Sequence, residues 1–108
     1  MNFVQDGNFP DGTSVTAGQV IVKEWVVEND GSCNWDERYH LRLMDGYPAL
    51  GAASEIALSN VDSGKQTTIS VSFSAPLETG TFKTAWQAYN PENVAFGNPV
   101  FMIIVVNP

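Results

Sequence analysis

The chain has 108 residues, of which 44% are hydrophobic and 11% are aromatic. This length allows one domain at most, and the composition is that of a folded protein with a modest two-layer core. The formal charge is −7, from 12 acidic and 5 basic residues. Such a charge repels phosphate backbones and anionic bilayers, which argues against nucleic acids and membranes as partners.

Apolar and polar residues alternate along most of the chain, which predicts β-strands. In chain order, strands are predicted at 19–29, 38–44, 55–58 (short and weak), 67–75, 81–89 and 99–106. Four of them have a clear inward face, formed by Ile21, Trp25 and Val27, by Tyr39, Leu41 and Leu43, by Thr67, Ile69, Val71 and Phe73, and by Phe82, Trp86 and Ala88.

The last predicted strand is apolar on both faces. One face carries Val100, Met102, Ile104 and Val106, and the other carries Phe101, Ile103 and Val105. Because only one set can face the core, we expect the other to pack on a neighbouring domain or a second copy of the chain.

Turn signals separate the strands, and they read PDGT, NDGS, MDGY, VDSGK, ETG and NPEN. No segment predicts a helix longer than one turn. Short strands joined by regular turns predict an all-β sandwich or barrel.

Neither catalysis nor a bound cofactor is predicted. His40 lies on the polar face of its strand as a solvated side chain, and a nucleophilic pair with Cys33 lacks an orienting group. Asp36 and Glu37 are adjacent on a strand and point apart. The remaining turn aspartates stand near glycines, where they stabilise turns, so only an incidental calcium site stays open.

Cys33 is the sole cysteine, which excludes an internal disulfide and a cysteine-based zinc site. We expect it to be a small, partly buried apolar residue, with an intermolecular bridge or a reactive thiol as the alternative. The longest apolar run, at 100–106, is too short to span a bilayer. The first twenty residues do not have the pattern of a secretory signal.

The aromatic residues divide into core and candidate contact positions. Trp25 and Trp86 are expected in the core. Trp35 opens the 38–44 strand and either covers one end of the core or is partly exposed. Tyr89 has the opposite strand parity from Trp86 and is a candidate for an exposed face.

The loop after Met44 carries Tyr47, Pro48 and Leu50. We expect these apolar side chains to contact a protein partner. The alternative is that Leu50 and Tyr47 tuck under one end of the sandwich.

Five segments together resemble a known domain family, the four-tryptophan (FW) domain. They are FVQDGNFPDGTSVTAGQ, KEWVVENDGSCNW, YHLRLMDG, VDSGKQTTISVSFSAPLETGTFKTAW and FGNPVFMIIVV, and the resemblance covers residues 3–106. FW domains are the immunoglobulin-like domains of Next-to-BRCA-one type autophagy receptors and of many bacterial proteins. The set of core aromatics that the resemblance implies is Trp25, Trp35, Trp86 and Phe101, with Phe101 in place of the fourth tryptophan.

The sequence departs from the family at two further places. MDGYPALGAA replaces the usual loop after the 38–44 strand, and Ser63-Gly64 replaces a Pro-Gly pair. The loop change alters a possible contact surface, so no known partner is carried over.

The resemblance implies an immunoglobulin or fibronectin III-like β-sandwich of seven to eight antiparallel strands without a disulfide. Residues 1–108 would be one such domain of a longer protein. The implied function is a non-catalytic protein-interaction or spacer module; the alternative is a carbohydrate-binding module, which requires coplanar exposed rings. The GSCNW segment is closer to bacterial members, for which an extracellular or cell-surface location is favoured.

Overall fold

The computed structural model describes residues 1–107 and contains eight strands in that range. They are β1 (Asn2–Asp6), β2 (Thr13–Thr16), β3 (Val20–Glu28), β4 (His40–Leu43), β5 (Glu55–Ala57), β6 (Gln66–Ser74), β7 (Gly80–Tyr89) and β8 (Ala95–Asn107). The described residues form no helix, and therefore none long and apolar enough to cross a membrane. The all-β prediction is confirmed.

The strands form two sheets that face each other. One has the order β1-β3-β6, and the other has the order β2-β8-β7-β4-β5. All pairs are antiparallel except β2 with β8, which is parallel. All six predicted strands are present, but β1 and β2 were not predicted, because β1 is exposed along most of its length and β2 has only four residues, of which one is apolar.

The core lies between the sheets and is centred on three aromatic rings. Phe73 packs against Trp25 at 6.3 Å and against Trp86 at 6.0 Å between ring centroids. Both tryptophans are fully buried, as predicted. The indole nitrogen of Trp25 donates a hydrogen bond of 2.9 Å to the carbonyl of Phe101 in the opposite sheet. This bond and the ring contacts join the two layers.

The pairing of β8 with β7 determines which of the two apolar faces of β8 points into the core. Trp86 on β7 stands opposite Val100 on β8, and both are buried. The same parity places the core set Val100, Met102, Ile104 and Val106 inward, with at most 2% of each exposed. Consequently, Phe101 points outward and is 38% exposed. Its expected place among the core aromatics is therefore wrong.

Phe96, which was not predicted to be a core residue, covers the core beside β4. Phe96 lies in the early part of β8, which begins four residues before the predicted strand. Its ring centroid lies 6.0 Å from that of Trp35 and 5.9 Å from that of Tyr39. Phe96 therefore helps Trp35 and Tyr39 to close one end of the sandwich.

Candidate functional site

The turn between β3 and β4 is organised by the buried side chain of Asn29. Its amide nitrogen donates to the carbonyls of Cys33 and Val61 at 2.8 and 2.9 Å, and its amide oxygen accepts from the backbone N–H of Gly31. Trp35 follows, is only 3% exposed, and pairs with Val61 across an isolated bridge. Trp35 thus covers one end of the core instead of opening β4, which begins at His40.

This turn borders a pocket of about 390 Å³ at the end of the sandwich. Its aromatic wall is formed by Trp35, Tyr39 and Phe96, and Cys33 and Asp30 lie on its rim. Cys33 is a free, exposed cysteine, so the expectation of a partly buried residue is wrong. The physical reason is that the buried Asn29 side chain binds the Cys33 carbonyl, which fixes the backbone while the thiol remains at the solvent side.

Two ionisable groups near this turn have shifted pKa values. Burial raises the pKa of the Tyr39 hydroxyl, and the negative charges of Cys33 and Asp36 add to the shift. Hydrogen bonds from the side chain and backbone of Arg38 lower the pKa of Asp36. Neither shift creates a proton donor or acceptor near neutral pH, because Tyr39 becomes a weaker acid and Asp36 a stronger one.

The outward face of the five-stranded sheet carries an apolar patch around a lysine. Lys83 on β7 stands opposite Ile103 on β8, and the next outward pair is Ala85 with Phe101. The Lys83 ammonium lies 4.6 Å from the ring centroid of Phe101 and 5.8 Å from that of Tyr47. We call this surface the outer patch; its members are Tyr47, Lys83, Phe101, Ile103 and Val105. It joins the loop after β4 to the outward face of β8.

The structure separates the predicted contact residues of the loop. Tyr47 is half-buried beside Lys83, and Pro48 is exposed. Leu50 is buried with the core, 8% exposed, and its backbone has a positive φ of 50°. The alternative that Leu50 tucks under the sandwich is thus favoured, and Tyr47 and Pro48 are the members that reach solvent.

Tyr89 lies on the same outward face in a polar cluster. The Arg42 guanidinium lies 4.6 Å from the Tyr89 ring centroid, and Arg42 also binds Glu55 at 3.2 Å. The imidazole of His40 lies 3.6 Å from Glu55. Within residues 1–107, no three acidic, histidine or cysteine side chains are grouped as metal ligands. The cluster therefore offers a charged, hydrogen-bonding surface.

Lys83 and Phe96 are the positions that sequence reasoning missed. Lys83 had a usable signal, since it is a lone cation on the outward parity of a long strand. Phe96 had none, because a bulge opposite Gln87 separates it from the regular alternation of β8.

The two facing sheets consist mostly of antiparallel strands and enclose a tryptophan core without a disulfide. This arrangement defines an immunoglobulin-like β-sandwich module. The family model described as the Ig-like domain from next to BRCA1 gene matches residues 8–106, and the chain belongs to this family. Domains of this family are protein-interaction modules within larger proteins.

Several curated proteins are similar to the chain over most of its length. The human Next to BRCA1 gene 1 protein is 30% identical over 105 residues, which cover 95% of this chain and 11% of that protein. The Arabidopsis thaliana protein NBR1 homolog is 27% identical over 97% of this chain and 15% of its own length. The zebrafish protein ILRUN is 23% identical over 98% and 37%.

The chain thus spans only 10% to 12% of the length of the Next to BRCA1 gene 1 proteins. These relatives come from animals and plants, so they do not support the expected bacterial origin.

Proposed function

We propose that this domain is a non-catalytic module of a longer protein and that it binds a protein partner through the outer patch. The observation that carries the proposal is the contact of one ammonium group, that of Lys83, with two aromatic rings that reach solvent. Aromatic side chains beside a cation combine apolar area with charge, which is the composition of binding hot spots.

The apolar area next to these rings supports a protein as the partner. Phe101 is 38% exposed, and Ile103 and Val105 are half-buried although no second layer of the described chain covers them. The domain carries a charge of −7, and this apolar area is the part of the sheet whose burial against a partner is most favourable in free energy. Arg42 and Tyr89 provide a polar rim on the same face.

The carbohydrate alternative is less well supported by the aromatic geometry. A sugar site of that kind needs exposed, coplanar rings, but Trp35 is buried. The rings of Phe101 and Tyr89 each have a cationic side chain at 4.6 Å. Those side chains occupy ring surface on which a sugar would stack.

The test is affinity capture from the source organism followed by measurement with the purified partner. We expect the double variant Tyr47→Ala/Phe101→Ser to weaken binding by about tenfold or more. The matched control is Val22→Thr, which removes exposed apolar area (48% exposed) from the other sheet and should bind normally. The double variant should still unfold in one cooperative transition, and the control should melt within about 3 °C of the wild type.

Two results would contradict the proposal. One is equal affinity of the double variant and the wild type for every purified partner. The other is binding on a glycan array that the double variant loses, with no protein partner affected.

A further inference from the structure

Strand β6 has one open edge in the described chain. It pairs with β3 on one side only, and it ends the order β1-β3-β6. It is nine residues long and contains neither a charge nor a proline. Proteins usually protect such edges with charged residues, prolines, bulges or covering loops, because an open edge pairs readily with another strand.

The hydrogen bonds at the end of β6 show which backbone groups face outward. The N–H of Ala75 donates to Gln19 beside β3, whereas the N–H of Ser74 donates away from β3 to the carbonyl of Leu50 at 2.8 Å. Because the direction alternates along an antiparallel strand, the N–H and C=O groups of Thr68, Ser70 and Ser72 also face the open edge. The Leu50 segment thus already pairs with the edge at its last position.

A groove lies beside this edge, between β6 and β5. Its volume is about 210 Å³, and its lining includes Ile56 and Leu58 on one side and Ile69 on the other. Strand β5 is itself the last strand of its sheet. Serine and threonine side chains complete the lining, so the groove offers a recess with apolar walls and a polar margin for an alternate side chain of any strand that pairs with β6.

The outward face next to the edge has short side chains on β6 and, on β3, two carboxylates among valines. Serine and threonine side chains cover β6, and behind them Glu24 stands opposite Ser70 and Glu28 opposite Gln66 on β3. The short hydroxyl side chains leave these carboxylates within reach of a long basic side chain on an added strand. The chain charge of −7 also favours a basic partner over a second copy of this chain.

We propose that the open edge of β6 binds an extended segment of a partner protein by strand addition. The segment pairs with the backbone of Thr68, Ser70 and Ser72, inserts an aliphatic side chain into the groove, and directs basic side chains toward Glu24 and Glu28. This inference rests on the proposed protein-binding function but concerns a surface separate from the outer patch.

The probe is the synthetic heptapeptide Val-Lys-Val-Thr-Val-Lys-Val. Its valines alternate to face the groove, and its lysines have the four-residue spacing of Glu24 and Glu28. We expect amide hydrogen exchange at Thr68, Ser70 and Ser72 to slow by about tenfold with saturating peptide. The control peptide has glutamate in place of both lysines and should bind about tenfold more weakly.

The variant Ser70→Pro removes one edge-facing N–H, at a position where an edge strand tolerates proline. It should weaken heptapeptide binding by about tenfold or more, whereas Ser70→Ala keeps the N–H and should bind as the wild type does. The outer-patch variant Tyr47→Ala/Phe101→Ser should also bind the peptide normally. If that variant loses binding to the purified partner but still binds the peptide, the result bears on the proposed function of the outer patch and not on the edge of β6.

Three results would overturn the inference. The first is that the wild type does not bind the peptide at about 1 mM, a concentration that detects even weak affinity. The second is that the wild type binds the peptide but exchange at the three edge amides does not slow. The third is a wild-type dimer in sedimentation that Ser70→Pro dissociates, since the occupant of the edge would then be a second copy. If Ser70→Pro fails to fold, the wild-type exchange data decide.

Discussion

Lys23 is fully buried on the inward face of β3, next to Trp25. Its ammonium group donates hydrogen bonds to the carboxylate of Asp6 at 2.9 Å and to the carbonyls of Asn8 and Phe9. These acceptors belong to β1 and to the segment that follows it. A single buried cation thus holds this segment against the sandwich, which explains a lysine where alternation requires an apolar residue.

We predict that Lys23→Met destabilises the domain by about 2–4 kcal/mol, because it leaves the Asp6 carboxylate and two carbonyls without their donor. Urea unfolding measures the change. Lys65→Met is the control, since Lys65 is exposed, and it should change stability by less than about 0.5 kcal/mol. Equal effects of the two substitutions would contradict the role of the buried ammonium.

Strand β8 shows how pairing decides between two apolar faces. Ile104 is fully buried and stands opposite Phe82, whereas Ile103 is half-buried and stands opposite Lys83. The residues are identical and adjacent, and they differ only in the face to which they belong. They therefore form a matched pair for testing the orientation of the strand.

Ile104→Ala should cost about 3–4 kcal/mol, because it leaves a cavity between the sheets, and Ile103→Ala should cost about 1 kcal/mol or less. Thermal or urea unfolding of the two variants measures the difference. Equal costs, or a larger cost at Ile103, would show that the outward set of β8 is covered in solution and would favour self-association through the outer patch.

The whole sandwich depends on contacts that join its two sheets. Trp25 belongs to the three-stranded sheet, yet its indole nitrogen binds the Phe101 carbonyl in the five-stranded sheet. Its ring also packs edge-on against Phe73, which contacts Trp86 in the opposite layer. We therefore expect the sheets to unfold as one cooperative unit.

We predict that Trp25→Phe lowers the free energy of unfolding by about 2–4 kcal/mol, through lost volume and the lost hydrogen bond. Native-state hydrogen exchange should accelerate equally in β3 and β7. The control Tyr89→Phe alters a half-buried ring outside the core and should leave exchange unchanged. Faster exchange in β3 alone would mean that the sheets open separately.

The sequence by itself determined the strands with alternating patterns, their inward residues and the tryptophan core. It did so because the period of two is a local property, and a strand with one apolar face has one stable orientation. The ordered motifs also predicted the immunoglobulin-like family, which the family model shows for residues 8–106.

Only the tertiary structure decided the positions whose environment depends on distant residues. Phe101 faces outward because β8 aligns Val100 with Trp86, and Leu50 is buried because its segment folds beside β6. Cys33 is exposed because Asn29 fixes its carbonyl. Likewise, the outer patch and the open edge of β6 arise from strand order, which no local pattern encodes.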